Sequence, residues 1–149
     1  MPTHSETRRL PYSAQQMYDL VADVARYPEF LPWTSAARIR ETRQEGDKVV
    51  MLADLVISFK VFRERFGSKV TLWPETKRID TEYLDGPFKH MISSWSFADA
   101  DGGSDVSFHV DFEFRNRLLQ ATATVFFNEA MHRVVQAFER RASQLYGGV

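Results

Sequence analysis

The chain has 149 residues, with 19 Lys and Arg against 20 Asp and Glu, and it contains no cysteine. This length fits a single domain of residues 1–149 around one core, and the missing cysteines exclude disulfides, thiolate metal sites and cysteine nucleophiles. A formal net charge of -1 disfavours nucleic acid as a direct partner.

The N-terminus lacks the apolar run of a secretory signal, and no segment reaches the roughly 18 apolar residues that cross a bilayer. We therefore expect a soluble cytoplasmic protein for which any membrane contact is peripheral. Aromatic residues make up 13% of the chain, and such rings either fill a core or line a cavity for greasy ligands.

The first predicted element is a polar edge strand over residues 3–10. Ser13 and Gln16 then have the spacing of a capping box, which predicts a short amphipathic helix after Ser13. Pro28 ends this helix. The segment 27–33, with the sequence YPEFLPW, follows as a second short helix or turn, and it is either a plug at the end of the core or a stiff apolar lid over a cavity mouth.

From residue 36 to about residue 115, apolar residues recur with period two, and short turn signals separate about six antiparallel strands. The clearest strand is 106–114, where every second residue is apolar. In 49–59 the odd positions are all apolar, so we expect them to face inward. A long helix from about 118 to 145 follows, with an apolar stripe that runs from Phe127 to Leu145, and Gly147 and Gly148 end it.

These elements predict an α+β fold, in which a curved antiparallel sheet of about seven strands wraps around the long C-terminal helix, with two short helices near the N-terminus. A strongly bent sheet around one helix leaves interior space, so we expect an apolar cavity between them.

Several separated motifs carry a family resemblance. They are LVADVARYP running into YPEFLPW, GPF before a strand that contains WSF, then VDFEF, and the final helix VFFNEAMHRVVQAFERRASQLYG. Together, over roughly residues 3–146, they resemble the coenzyme Q-binding START-like proteins of the polyketide cyclase and lipid-transport superfamily, which include bacterial homologues labelled ribosome-association toxins.

The resemblance implies a helix-grip fold that binds ubiquinone or a related polyprenyl lipid as its ligand. It implies no catalysis and no cofactor, but a carrier or chaperone role that supports respiratory electron transfer, with membrane contact at the inner membrane. Two alternatives stay open. One is a toxin-type protein that blocks ribosomal subunit association, and the other is an enzyme similar to polyketide cyclases and aromatases.

The predicted ligand contacts are inward apolar residues near the expected mouth and three polar residues that could orient a quinone head. The apolar set is Phe30, Leu31, Trp33, Leu55, Ile57, Phe59, Trp95, Phe97, Met131, Val134 and Phe138; the polar set is Thr81, Tyr83 and Ser93. Each apolar residue could equally be ordinary core. We predict no catalytic residue and no metal site, because His109, Asp111 and Glu113 share the outer face of their strand and no nucleophile motif occurs.

Overall fold

The structure, a computed structural model, describes residues 3–59 and 62–147, without the side chains of Phe59, Phe62, Ala123 and Phe126. Within these residues, seven strands form one antiparallel sheet in the order β1-β7-β6-β5-β4-β3-β2. The strands are β1 (Thr3–Leu10), β2 (Thr34–Glu45), β3 (Lys48–Phe59), β4 (Phe62–Trp73), β5 (Arg78–Asp85), β6 (Phe88–Ala100) and β7 (Gly103–Phe114). The predicted fold class and the place of β1 at a sheet edge are confirmed.

Helix α1 (Ala14–Ala22) begins at the predicted capping box, in which Ser13 Oγ accepts from the Gln16 N–H at 3.1 Å and Gln16 Oε1 accepts from the Ser13 N–H at 2.9 Å. A 3-10 helix (Val24–Glu29) follows and contains Pro28. The predicted start of α1 at the capping box is confirmed. The prediction that Pro28 ends this helix is wrong, because the backbone leaves the helical conformation at Asp23 and Pro28 lies inside the 3-10 helix that follows.

Helix α2 (Arg117–Tyr146) crosses the concave face of the sheet. Asn116 caps its start and Gly147, with a left-handed φ of 70°, ends it. The prediction that Leu145 faces inward is wrong, since its side chain is 51% exposed. Tyr146 makes the contact with α1 instead, because its hydroxyl donates to the Gln16 carbonyl at 2.9 Å.

No helix in the described part of the chain combines the length and the apolar character needed to span a bilayer.

In each strand every second side chain points to the concave face, and directly paired residues of neighbouring strands point to the same face. In β3, the odd positions pack against the core as predicted, and across the β3–β4 pair they stand opposite the even positions of β4. Leu55 is paired with Phe66, and Met51 is paired with Val70. This register gives neighbouring strands a shared apolar surface on the inner face of the sheet.

The concave face of β1 is charged rather than apolar. Glu6 accepts from His4 Nε2 at 2.7 Å and from Arg8 Nε at 2.8 Å, and Arg8 Nη1 donates to Glu139 of α2 at 2.6 Å. We call His4, Glu6, Arg8 and Glu139 the β1–α2 clasp. Burial has the largest effect on the pKa of Glu6 and raises it, but the hydrogen bonds from His4 and Arg8 outweigh it and leave this pKa below its ordinary value.

Glu6→Gln keeps the side-chain shape and removes the charge at the centre of this clasp. A carboxylate with a lowered folded pKa stabilises the fold above its ordinary pKa of 4.5, and this contribution is lost as the pH falls through the folded value. We expect the variant to be less stable by about 1–2 kcal/mol at neutral pH and equal to the wild type in acid. Thermal unfolding across this pH range measures the difference, and a destabilisation that persists in acid would contradict the electrostatic role.

Candidate functional site

Part of the concave sheet face is not covered by α2, which lies closest to α1, β1 and β7. Seven strands spaced about 4.8 Å apart span ~29 Å, whereas a helix with its side chains is about 10–12 Å wide. The helix therefore does not cover the inner face of β3 and β4, while the 3-10 helix packs against β2.

A row of partly exposed apolar side chains lies along β3 on this uncovered side, and we infer that it forms the wall of an apolar cleft. The apolar side chains that line it contact the core yet remain partly exposed, which is unusual for the inner face of a sheet. They come from β3 (Met51, Leu55, Ile57), from the segment after the 3-10 helix (Leu31) and from α2 (Met131, Val134). We call this space the β3–α2 cleft.

Hydroxyl groups interrupt the apolar surface at the centre of the sheet. Thr81 of β5 and Ser93 of β6 are directly paired, and Tyr83 is paired with Ser68 of β4. The Tyr83 oxygen accepts from the Phe88 N–H at 3.1 Å, which orients the ring. Among the described residues, neither Thr81 nor Ser93 makes a side-chain hydrogen bond, so both hydroxyls can donate to a ligand oxygen.

The first half of the segment 27–33 is fastened to α2. The rings of Tyr27 and Phe30 meet Phe138 edge to face, with centroid distances of 5.4 and 5.2 Å. The Tyr27 hydroxyl donates to the Val21 carbonyl, and burial raises the pKa of Tyr27. Arg141 lies 5.2 Å from the centre of the Phe30 ring. These contacts pack Tyr27 and Phe30, which are both partly buried, against the core.

The second half of the same segment borders the cleft. Leu31 and Trp33 are partly exposed. Trp33 has a φ of 61°, and its carbonyl accepts from the Ser58 N–H at 2.7 Å, which ties the segment to the end of β3. The segment is thus anchored on both sides, with its two halves in different environments.

The structure divides the sequence-predicted contact residues into two groups. Leu31, Leu55, Ile57, Met131 and Val134 border the cleft, while Trp95, Phe97 and Phe138 are buried beneath it at 6%, 4% and 3% exposure. The side chain of Phe59 lies outside the described residues.

Sequence reasoning missed Met51 as a residue of the cleft wall and Ser68 as a buried polar residue of the inner sheet face. Met51 is one of the odd positions of β3 that were expected inward, so the same period-two pattern would have included it in the site. Ser68 follows from the alternation of Phe66, Val70 and Leu72 in β4, in which it occupies an inward position and is 2% exposed.

The acidic row of β7 lies on the opposite, convex face, as predicted. His109 contacts Ser5 Oγ at 2.5 Å, and Glu113 pairs with Lys89 at 3.2 Å. In the part of the chain that the structure describes, no three His, Asp or Glu side chains are arranged to hold a metal ion. A groove of about 350 Å³ on this face is lined by residues that include five serines or threonines, Arg78 and His109.

Comparison with known proteins identifies a matching family and relatives that align with nearly the whole of this chain. The sequence model of the family described as polyketide cyclase/dehydrase and lipid transport matches residues 10–139. The ribosome association toxin RatA of Rickettsia prowazekii is 34% identical over 97% of this chain and 99% of that protein. The mitochondrial coenzyme Q-binding protein COQ10 homolog B of Xenopus laevis is also 34% identical, over 97% of this chain and 59% of that protein.

Solved structures agree with the fold. The solution structure of an 18 kDa protein from Caulobacter crescentus has a TM-score of 0.82 at 33% identity and covers 99% of both chains. An aromatase/cyclase from a Streptomyces species has the same TM-score of 0.82 and the same coverage at 17% identity, which is a likeness of fold alone.

Met131→Ala and Phe138→Ala distinguish a cleft wall from core, since both residues lie on the inward stripe of α2. Phe138 is 3% exposed, so we expect its truncation to cost ~3–5 kcal/mol. Met131 borders open space, and we expect a loss of only about 1 kcal/mol. Urea unfolding measures both values; a cost for Met131→Ala of the size found in closed cores would show that the cleft is filled.

Proposed function

Because the chain belongs to the polyketide cyclase/dehydrase and lipid transport family, we propose that it binds ubiquinone or a related polyprenyl lipid in the β3–α2 cleft. The observation that carries this proposal is the row of partly exposed apolar side chains, Met51, Leu55 and Ile57, on the inner face of β3. The sequence identity of 34% to a protein named as coenzyme Q-binding supports the choice of ligand.

The expected strength of binding follows from the apolar area that a prenyl tail would bury. At ~25 cal/mol per Å², hiding ~300 Å² supplies roughly 7 kcal/mol before the costs of ordering. This favours reversible binding, as a carrier or chaperone needs. We propose that the protein has this role and supports respiratory electron transfer.

The paired hydroxyls of Thr81 and Ser93 would orient the quinone head. A buried carbonyl without a hydrogen-bond donor is costly, and these two groups lie on the same sheet face as the cleft walls. The Tyr83 hydroxyl, held by the Phe88 N–H, offers a third donor nearby. The head would thus lie toward β5 and β6, with the tail along β3.

We propose that the protein acts without catalysis. The charged side chains that β1 turns toward α2 are paired with one another and with Glu139. The polar side chains on the cleft face of the sheet include the hydroxyls of Thr81, Tyr83 and Ser93 and the carboxylate of Glu64, which is paired with Ile57. A cyclase-like enzyme requires both a general acid and a general base beside its substrate.

A second candidate function is association with a ribosomal subunit, favoured by the similarity over nearly the whole chain to proteins named ribosome association toxins. Cosedimentation with purified ribosomal subunits at physiological salt tests it. This candidate predicts that the protein pellets with one subunit; a protein that stays in the supernatant with both would remove it.

Lipid extraction from purified protein, followed by mass spectrometry, tests the principal proposal. We expect the wild type to carry a quinone or another isoprenoid lipid. Ile57→Asn introduces a polar group into the cleft, and we expect ligand recovery to fall by roughly 10-fold or more. Ile92→Asn is the matched control, because Ile92 is 50% exposed on the convex face.

If the lipid binds in the β3–α2 cleft, the control variant Ile92→Asn retains it. Equal losses from both variants would place the ligand elsewhere, and an absence of isoprenoid lipid from the folded wild type would count against the proposed function.

A further inference from the structure

The start of α2 exposes an apolar stripe that neither the core nor the cleft uses. Leu118 and Val125 are each 74% exposed, the highest exposure among the large hydrophobic residues in the described part of the chain. They are seven residues apart, with exposed Ala121 between them, so all three share one side of the helix. We call Leu118, Ala121 and Val125 the α2-start stripe.

This stripe lies at the end of the sheet where β3 ends beside the segment 27–33, and we call this end of the cleft its mouth. Arg115, just before α2, donates from its N–H to the Pro87 carbonyl and from Nε to the Phe88 carbonyl, both at 2.9 Å. The Phe88 ring is 5.3 Å from the Phe66 ring, and Phe66 is paired with Leu55 of the cleft wall. The start of α2 and the exposed end of β3 therefore belong to one rim.

The rim carries an excess of positive charge. Its segments 62–66, 84–89 and 113–118 contain five Lys or Arg and three Asp or Glu, a difference of two positive charges in a chain of net charge -1. Asp85 and Glu113 are already paired with Arg65 and Lys89. Among the described residues, Arg63 and Arg117 belong to no ion pair, so their charges are available to an anionic partner.

We propose that the α2-start stripe docks on the surface of an anionic lipid bilayer and holds the cleft mouth against the membrane. Apolar side chains enter the interfacial region, while the flanking arginines meet lipid phosphates. This inference rests on the proposed function, because it gives the ligand a direct route between cleft and bilayer. It also places the contact at α2 rather than at Tyr27 and Phe30, which are packed against Phe138.

Charge favours a bilayer over a second copy of the chain as the occupant. In a two-fold dimer built on this stripe, the arginines at 115 and 117 of one copy would face those of the other. Like charges at close range oppose such an interface, whereas anionic headgroups neutralise them.

Cosedimentation with phosphatidylcholine vesicles, with and without phosphatidylglycerol, tests the docking surface. We expect the wild type to bind the anionic vesicles preferentially, and less at high salt because screening weakens the arginine contacts. The double variant Leu118→Ser/Val125→Ser should lose roughly 30-fold in vesicle affinity. Leu145→Ser is the matched control, since Leu145 is 51% exposed at the other end of the same helix, and it should bind as the wild type does.

A second double variant tests the contribution of the arginine charges to vesicle binding. Arg63→Gln/Arg117→Gln should reduce binding to anionic vesicles and leave any binding to neutral vesicles unchanged. Equal binding by the wild type and the Ser double variant, or failure of the wild type to bind either vesicle, would overturn the proposal. So would a concentration-dependent dimer in analytical ultracentrifugation that the Ser double variant abolishes.

Lipid content separates this inference from the proposed function. The Ser double variant should retain its bound isoprenoid lipid as the wild type does, because the stripe lies outside the cleft. Vesicle binding without a bound isoprenoid in the wild type would remove the proposed function and leave the docking surface intact. A bound isoprenoid in a wild type that does not bind vesicles would support the proposed function and overturn the docking surface.

Discussion

One helix cannot cover a seven-stranded sheet, and the cleft follows from this mismatch of widths. The sheet spans ~29 Å and the helix about 10–12 Å. Helix α2 can therefore cover only one side of the concave face. It packs toward α1, β1 and β7, and the inner face of β3 is left without a full set of neighbours. A protein that only had to be stable would fill that space with larger side chains or a second helix.

The side chains that hold α2 in place explain why the cleft stays on the β3 side. The β1–α2 clasp ties the helix to the edge strand through Arg8 and Glu139. Phe138 adds an aromatic contact with Trp95, with a centroid distance of 5.0 Å, and with the rings of Tyr27 and Phe30. These contacts, made by Phe138 and Glu139, all lie in the half of α2 after residue 130. The half before it meets the rim, where the structure exposes apolar side chains and cations.

The parts of the fold that depend on local chemistry could be predicted from the sequence. The capping box at Ser13, the alternation in β3 and the glycine that ends α2 are each specified by nearby residues. Contacts between distant elements could not. The alternating polar residues of β1 indicate an exposed edge strand. The pairing of Glu6 with the buried Phe108 and the contact of Arg8 with Glu139 of α2 show that Glu6 and Arg8 face inward.

The same limit applies to the candidate site. The sequence predicted that the segment 27–33 would be either a plug or a lid. Its two halves differ in their contacts, because the rings of Tyr27 and Phe30 pack against Phe138, whereas Trp33 is hydrogen-bonded to the end of β3. Likewise, the hydropathy of α2 does not reveal that Leu118 and Val125 are exposed, since this depends on where the helix leaves the sheet.

Methyl-resolved NMR during titration with a short-tailed ubiquinone tests the central claim most directly, because Ile57 and Ile92 report on the two faces of one sheet. The account predicts that the methyl signals of Leu55, Ile57, Met131 and Val134 shift together and saturably, while those of Ile92 on the convex face do not. Shifts confined to the convex face, or no saturable shift at any methyl group, would contradict a quinone site between β3 and α2.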